Sequence, residues 1–171
     1  MLRKSTQELF ETICENPDLI EFLEWRDLER VIALCYDEIG FDTVLTGSAK
    51  DGGKDVVIKF TANSKIKDIQ RVYIEIKHWR QATPVGKSTV RRLLEVALRD
   101  GVTGALIVSS SGFTSTVKQD SSPVKLGDLS TIRNLCHFAK VSLSGGEFSG
   151  GKLEEYVCPT QASFTHNARP V

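Results

Sequence analysis

The run Val72-Tyr73-Ile74-Glu75-Ile76-Lys77 alternates apolar and polar residues and carries a carboxylate and an ammonium two positions apart. In an extended strand such residues share a face, which predicts Val72, Ile74 and Ile76 in a core and Tyr73, Glu75 and Lys77 on the opposite side. About twenty residues upstream, Gly52-Gly53-Lys54-Asp55 leads into a second short apolar run, Asp55-Val56-Val57-Ile58. A strand leaving that glycine turn would hold the Asp55 carboxylate at the end of a sheet. Two carboxylates with a lysine beside them suit metal-assisted phosphodiester hydrolysis. The acids can hold Mg²⁺, and the lysine can act on the attacking water or on the developing charge. Each half is weak alone, because an acid two residues before a lysine usually marks the wet face of an edge strand and Asp clusters with Gly in turns for conformational reasons. However, Glu75-Ile76-Lys77 is the only Asp/Glu-x-Lys triplet in the chain, and it falls on the clearest alternating strand.

The elements that must position these residues can be read coarsely. A helix over 5–15 carries Leu9, Phe10 and Ile13 on one face and ends near Asn16-Pro17, and Asp18 to Glu24 forms a short helix. A stronger helix runs from Trp25 to Ile39, with Leu28, Ile32, Cys35, Tyr36 and Ile39 at helical spacing and Gly40 as its stop. Glu29 lies one position off that stripe, which puts it at the edge of the core. Strands are predicted at 43–46 and 55–60, with Thr61 to Gln70 as a loop or hairpin excursion. After the Glu75 strand, Thr83 to Ser88 leads into a helix to Arg99 whose Val90, Leu93, Leu94 and Ala97 make a core stripe. Gly101 then precedes the apolar strand Ala105 to Val108. Strand, helix and buried strand imply a parallel crossover, hence a mixed sheet flanked by helices. Ser109 to Thr116 reads as a strand-to-helix loop, Leu129 to Phe138 as a further helix, and Ser142 to Gly151 as a linker or turn.

A chain of 171 residues with 40% hydrophobic content supports one domain with a real core. The start of the sequence has no apolar leader and no run reaches membrane-spanning length, which predicts a cytoplasmic protein without membrane contact. Cys14, Cys35, Cys136 and Cys158 lack metal-ligand spacing and read as thiols. In Cys136-His137 adjacent side chains point apart, against a shared ion. Net charge is zero but unevenly spread: residues 1–49 hold 4 Lys/Arg against 11 Asp/Glu, residues 50–99 hold 12 against 5, and residues 100–171 hold 6 of each. The basic middle third contains the Glu75 strand and would attract a polyanion. Lys54, Arg80, Lys87, Arg91 and Arg92 are its candidate nucleic-acid contacts. They would meet phosphates, which carry no direct sequence information. Trp79 could stack on a base, although core packing is the simpler role.

From Trp25 to about Val117 the sequence resembles the catalytic domain of Mrr-type restriction endonucleases, within the PD-(D/E)xK nuclease superfamily. The matching pieces are Leu28-Glu29-Arg30-Val31 leading to Ile39-Gly40-Phe41, then Thr46 through Val57, Ile74-Glu75-Ile76-Lys77-His78-Trp79, Pro84-Val85-Gly86 and Val108-Ser109-Ser110-Ser111-Gly112-Phe113-Thr114. The resemblance implies an α/β, restriction-endonuclease-like mixed β-sheet flanked by helices. It makes Asp55, Glu75 and Ile76 the metal-binding positions, Lys77 the catalytic lysine and Glu29 an accessory acid. It departs at the proline of the superfamily's name, replaced here by Lys54, and at Glu75, where many relatives carry Gln. The second departure restores the standard acidic form.

The implied organisation is a helical extension over 1–24, a nuclease domain over 25–140 and a C-terminal extension over 141–171. The implied activity is endonucleolytic hydrolysis of DNA with Mg²⁺, for which Mn²⁺ can substitute, in restriction or anti-phage defence, as a homodimer or a subunit of a larger defence assembly. The rival of another class is a non-catalytic nucleic-acid-binding or assembly module that keeps the fold. A cleavage subunit for junctions or RNA would use the same chemistry.

Overall fold

A computed structural model describes residues 2–47, 53–61, 69–78, 83–120 and 122–145. Helix α1 (Leu2–Glu15) is followed by a 3-10 turn at Pro17–Phe22 and by α2 (Trp25–Glu38). Strands β1 (Asp42–Leu45), β2 (Val56–Thr61) and β3 (Ile69–Lys77) come next, then α3 (Lys87–Arg99) and β4 (Gly104–Ser109). A one-turn helix α4 (Ser115–Lys118), strand β5 (Lys125–Gly127) and helix α5 (Leu129–Leu143) complete the order. The strands lie side by side in sequence order, β1-β2-β3-β4-β5. The first two pairings are antiparallel and the last two parallel, so the sheet is mixed, as the α3 crossover predicts.

The parity of the strands sorts the core into two layers. Val56, Ile58, Val72, Ile74, Ile76, Leu106 and Val108 face one side, where α1, α2 and α5 cover them with Phe10, Leu28, Ile32, Tyr36, Ile132 and Leu135. Val57, Tyr73, Ala105 and Ile107 face the other, covered by Val90, Leu93 and Ala97 of α3 with Val117 and Val124. Burying each such Ile or Leu stabilises by roughly 1.5–3 kcal/mol. The second face of β3 is therefore a core face under α3 rather than the outer side of a strand, and Tyr73 and Glu75 are both buried there. Phe10, Ile13 and Ile20 belong to the α2 layer, so α1 and the 3-10 turn pack into the same body.

Local signals account for the ends of elements. Gly40, at φ 101, closes α2: its amide bonds to the Asp37 carbonyl and Phe41 N–H to the Tyr36 carbonyl, an ending that needs a left-handed residue. Asp128 starts α5 by accepting from the amides of Ser130 and Thr131, while Thr131 accepts from the Asp128 amide, a reciprocal capping box. Sequence pattern did not separate β5 and α4 from their loops, because three or four residues are too few to show a period. The thiols of Cys35 and Cys136 are buried 3.7 Å apart across α2 and α5, Cys14 is half-buried, and His137 is exposed. Cys158, Trp79, Arg80 and the residues past 145 lie outside the described residues.

Candidate active site

Asp55 immediately precedes β2. Carrying the β2–β3 register (Val56 opposite Ile74) one step further sets Asp55 across from Glu75. Two hydrogen bonds lock it there. Its amide donates to the Ile74 carbonyl at 2.8 Å, and the Ile76 amide donates to Asp55 Oδ2 at 2.7 Å. The backbone of β3 thus orients the first acid. An Ile76 side chain offers no ligand atom and is buried in the core, so only its backbone carbonyl could serve an ion. In a strand that carbonyl points to the same side as its N–H, here toward Asp55.

Glu29 arrives from α2, 3% exposed, and its carboxyl stands beside Asp55, close enough for the two to influence each other's charge. Arg26, one turn earlier on α2, donates to Glu29 Oε2 at 3.0 Å and stacks on the Trp25 ring at 3.9 Å. Glu75, with no exposed surface, takes Lys77 Nζ at 2.7 Å on Oε1, and Arg92 of α3 pairs with the same oxygen. Its other oxygen, Oε2, is buried with no hydrogen-bond partner among the described residues. All three acids are held above the ordinary carboxylate range, chiefly by burial. For Glu29 the neighbouring Asp55 adds to the rise and Arg26 opposes it. The Ile76 amide and Lys77 oppose it for Asp55, and Lys77 and Arg92 for Glu75.

The structure therefore brings Glu29, Asp55, Glu75 and Lys77 to one end of the β2–β3 pair. Among the described residues no three His, Cys, Asp or Glu side chains stand close enough together to hold an ion, and one oxygen of Glu75 is turned onto two cations. The donor set nevertheless fits a hard divalent ion. It offers the Asp55 carboxylate, an unpartnered buried Glu75 oxygen and a strand carbonyl, all oxygen ligands.

The candidate nucleic-acid contacts divide. Lys54 is drawn away from the surface, 3.2 Å from Asp100 and 4.4 Å over the Tyr73 ring, with Tyr73 donating to the same Asp100 oxygen at 2.9 Å. Lys87 and Arg91 are exposed on the first turns of α3, where Lys87 lies 3.3 Å from Asp120. Arg92 is engaged with Glu75. Sequence reasoning missed Arg26 as a partner of Glu29, although the spacing of three on a helix was a usable signal. The Arg92–Glu75 pair spans 17 positions and two elements, and no local pattern announces it.

A family model described as restriction endonuclease, of the Mrr catalytic type, matches residues 20–136. The chain belongs to this restriction endonuclease family. One relative by sequence is the uncharacterized protein y4cE of Sinorhizobium fredii, 37% identical over 141 residues that make up 80% of this chain and 35% of the relative. This nuclease-family chain thus spans about a third of that relative's length. Restriction endonuclease FokI aligns with a TM-score of 0.54 and 11% identity over 78% of this chain and 27% of that one, a likeness of fold. The DNA modification-dependent restriction endonuclease AspBHI aligns at 0.49 with 21% identity, covering 82% of this chain and 39% of its own. MspJI in complex with a 27-mer oligonucleotide aligns at 0.46 with 22% identity, over 90% and 35%. The mixed sheet with flanking helices is the restriction-endonuclease-like fold. No helix among the described residues is long and apolar enough to cross a membrane.

Proposed function

We propose that the chain is a metal-dependent endonuclease that hydrolyses DNA phosphodiester bonds within a restriction or anti-phage defence system. One observation carries the reading most. Asp55 is clamped opposite Glu75 by two hydrogen bonds to the β3 backbone, one through its amide and one through its carboxylate, with Lys77 2.7 Å from Glu75. Asp55, Glu75 and the Ile76 carbonyl would hold Mg²⁺, with Mn²⁺ as a substitute. When bound, such an ion supplies a Lewis acid that makes water a better nucleophile and neutralises charge on the leaving oxygen.

The chain's own residues do the rest. Lys77, whose side chain is only 19% exposed, orients the attacking water or stabilises the negative charge that grows on the phosphorus oxygens. Glu29 stands beside Asp55 with its pKa raised by burial, so it can complete the ligand shell directly or through water and take up a proton there. Lys87 and Arg91 on α3 meet the phosphate backbone without reading sequence. Cleavage of both strands requires two such sites or sequential nicking, which favours a homodimer or a subunit of a larger assembly.

The test is incubation of purified protein with linear, circular, methylated and single-stranded substrates in Mg²⁺, Mn²⁺ or EDTA, beside Lys77→Ala. Divalent-dependent cleavage that falls by orders of magnitude in Lys77→Ala, with DNA affinity changed by no more than one phosphate contact, supports the reading. Binding without hydrolysis under every condition would leave a non-catalytic module.

A further inference from the structure

Two cations converge on one oxygen of Glu75 while the other is buried with no hydrogen-bond partner among the described residues. An Arg–carboxylate pair gains most when the guanidinium fork takes both oxygens, which this pair does not do. Leaving a buried acceptor unpaired is destabilising, because the group gives up its water and gains no partner. Arg92 also makes this contact from an outward position: its side chain is 50% exposed, and it lies on α3 beside the core residue Leu93. The route is opened by Gly53, at φ +90, where an added Cβ would stand 2.6 Å from Arg92 Nη2 and 3.0 Å from Cζ. Any side chain there would occupy the space the guanidinium crosses.

We infer that Arg92, admitted by the missing side chain of Gly53, is a positioning residue that fixes the Glu75 carboxylate with Oε1 toward the cations and Oε2 left available for ligation. This rests on the nuclease reading of the site. The arrangement resolves a conflict within that reading. Lys77 cannot serve the attacking water or the phosphate while it is the sole partner of a fully buried carboxylate, since leaving would strand an unpaired charge. With Arg92 on the same oxygen, Lys77 turns to the substrate while Glu75 remains paired. A guanidinium already spent on Glu75 contributes little to phosphate binding, which separates Arg92 from its neighbour Arg91.

The experiment compares Arg92→Ala, Arg92→Lys and Gly53→Ala in two independent readouts. In single-turnover cleavage with Mg²⁺ at saturating DNA, Arg92→Ala falls about 100-fold, as expected for a misplaced catalytic group. Arg92→Lys recovers at least about tenfold of that loss. Gly53→Ala reproduces the loss, and the double variant is no worse than Arg92→Ala alone. DNA affinity in Ca²⁺ stays within about twofold and its salt slope is unchanged. A slope lowered by about one with unimpaired cleavage would make Arg92 a phosphate contact and overturn the inference. The second readout needs no activity. Arg92→Ala lowers the urea midpoint in the wild-type background and shifts it less than half as much in Glu75→Gln. Additive shifts overturn the Arg92–Glu75 link whatever the chain cleaves, and this cycle decides the matter if Gly53→Ala does not fold. Coupled midpoints in a chain that cleaves no substrate would overturn the proposed function and leave the positioning contact standing.

Discussion

Replacing Asp55 separates what the site does from what it contributes to the fold. Its carboxylate lies in a half-buried place beside the Glu29 acid and accepts the Ile76 amide at 2.7 Å. Asp55→Asn keeps an oxygen for that amide and offers Glu29 a donor in place of a second acid. Burial raises the Asp55 pKa, so the ionised form costs more in the folded chain than in the unfolded one. Asp55→Asn is therefore expected to be at least as stable as wild type at pH 7. Asp55→Ala relieves the same charge but strips the Ile76 amide of its acceptor, a loss of about 1–2 kcal/mol for an N–H partly reachable by water. That difference corresponds to roughly 2–8 °C in Tm for a chain of this size. Both variants lose a ligand oxygen and should lose divalent-dependent cleavage. The assay is thermal and urea unfolding at pH 7 beside cleavage of supercoiled plasmid. Equal stabilities for Asn and Ala would refute the role given to the Ile76 hydrogen bond, and full cleavage by Asp55→Asn would remove Asp55 from the metal set.

Two further outcomes follow from the charges. Glu29, Asp55 and Glu75 all have raised pKa values in the folded chain, so their contribution to stability is present below the unfolded carboxylate range and is lost as pH rises through their folded values. Asp100, held well below that range by Arg99, Tyr73 and Lys54, and Asp128, lowered by its helix-cap bonds, work oppositely and lose their contribution only as pH falls below about 4. Tm should therefore rise as pH falls from neutral through the folded values of the three raised carboxyls, and fall again once pH drops below about 4. The rise should shrink in a Glu29→Gln/Asp55→Asn double variant, and an undiminished rise in that variant would contradict the assignment. On the surface, Lys87→Ala and Arg91→Ala should each lower the salt slope of DNA binding in Ca²⁺ by about one without sequence preference, whereas Lys54→Ala, paired with Asp100, should change it little. Filter-binding titrations across a salt series on unrelated duplexes measure this.

The sequence by itself determined the elements that repeat often enough to show a period. The α2 stripe, the alternation in β3, the α3 stripe and the apolar β4 run could be read to within a few residues, and strand, helix and strand gave the mixed sheet. It also determined the candidate acids and lysine, because Glu75 and Lys77 share a strand and a glycine turn leads to Asp55. Tertiary structure alone decided their surroundings. That the second face of β3 lies under α3 depends on packing between distant segments, and this changes Glu75 from a surface acid into one without exposed surface. The same packing turned Lys54 onto Asp100 and Arg92 onto Glu75, although composition assigned both to a basic surface. Charge counts record how many ions a segment carries, whereas partners are fixed by distances across elements. Pairing is strongest where burial removes water, and burial belongs to the folded chain rather than to any window of its sequence.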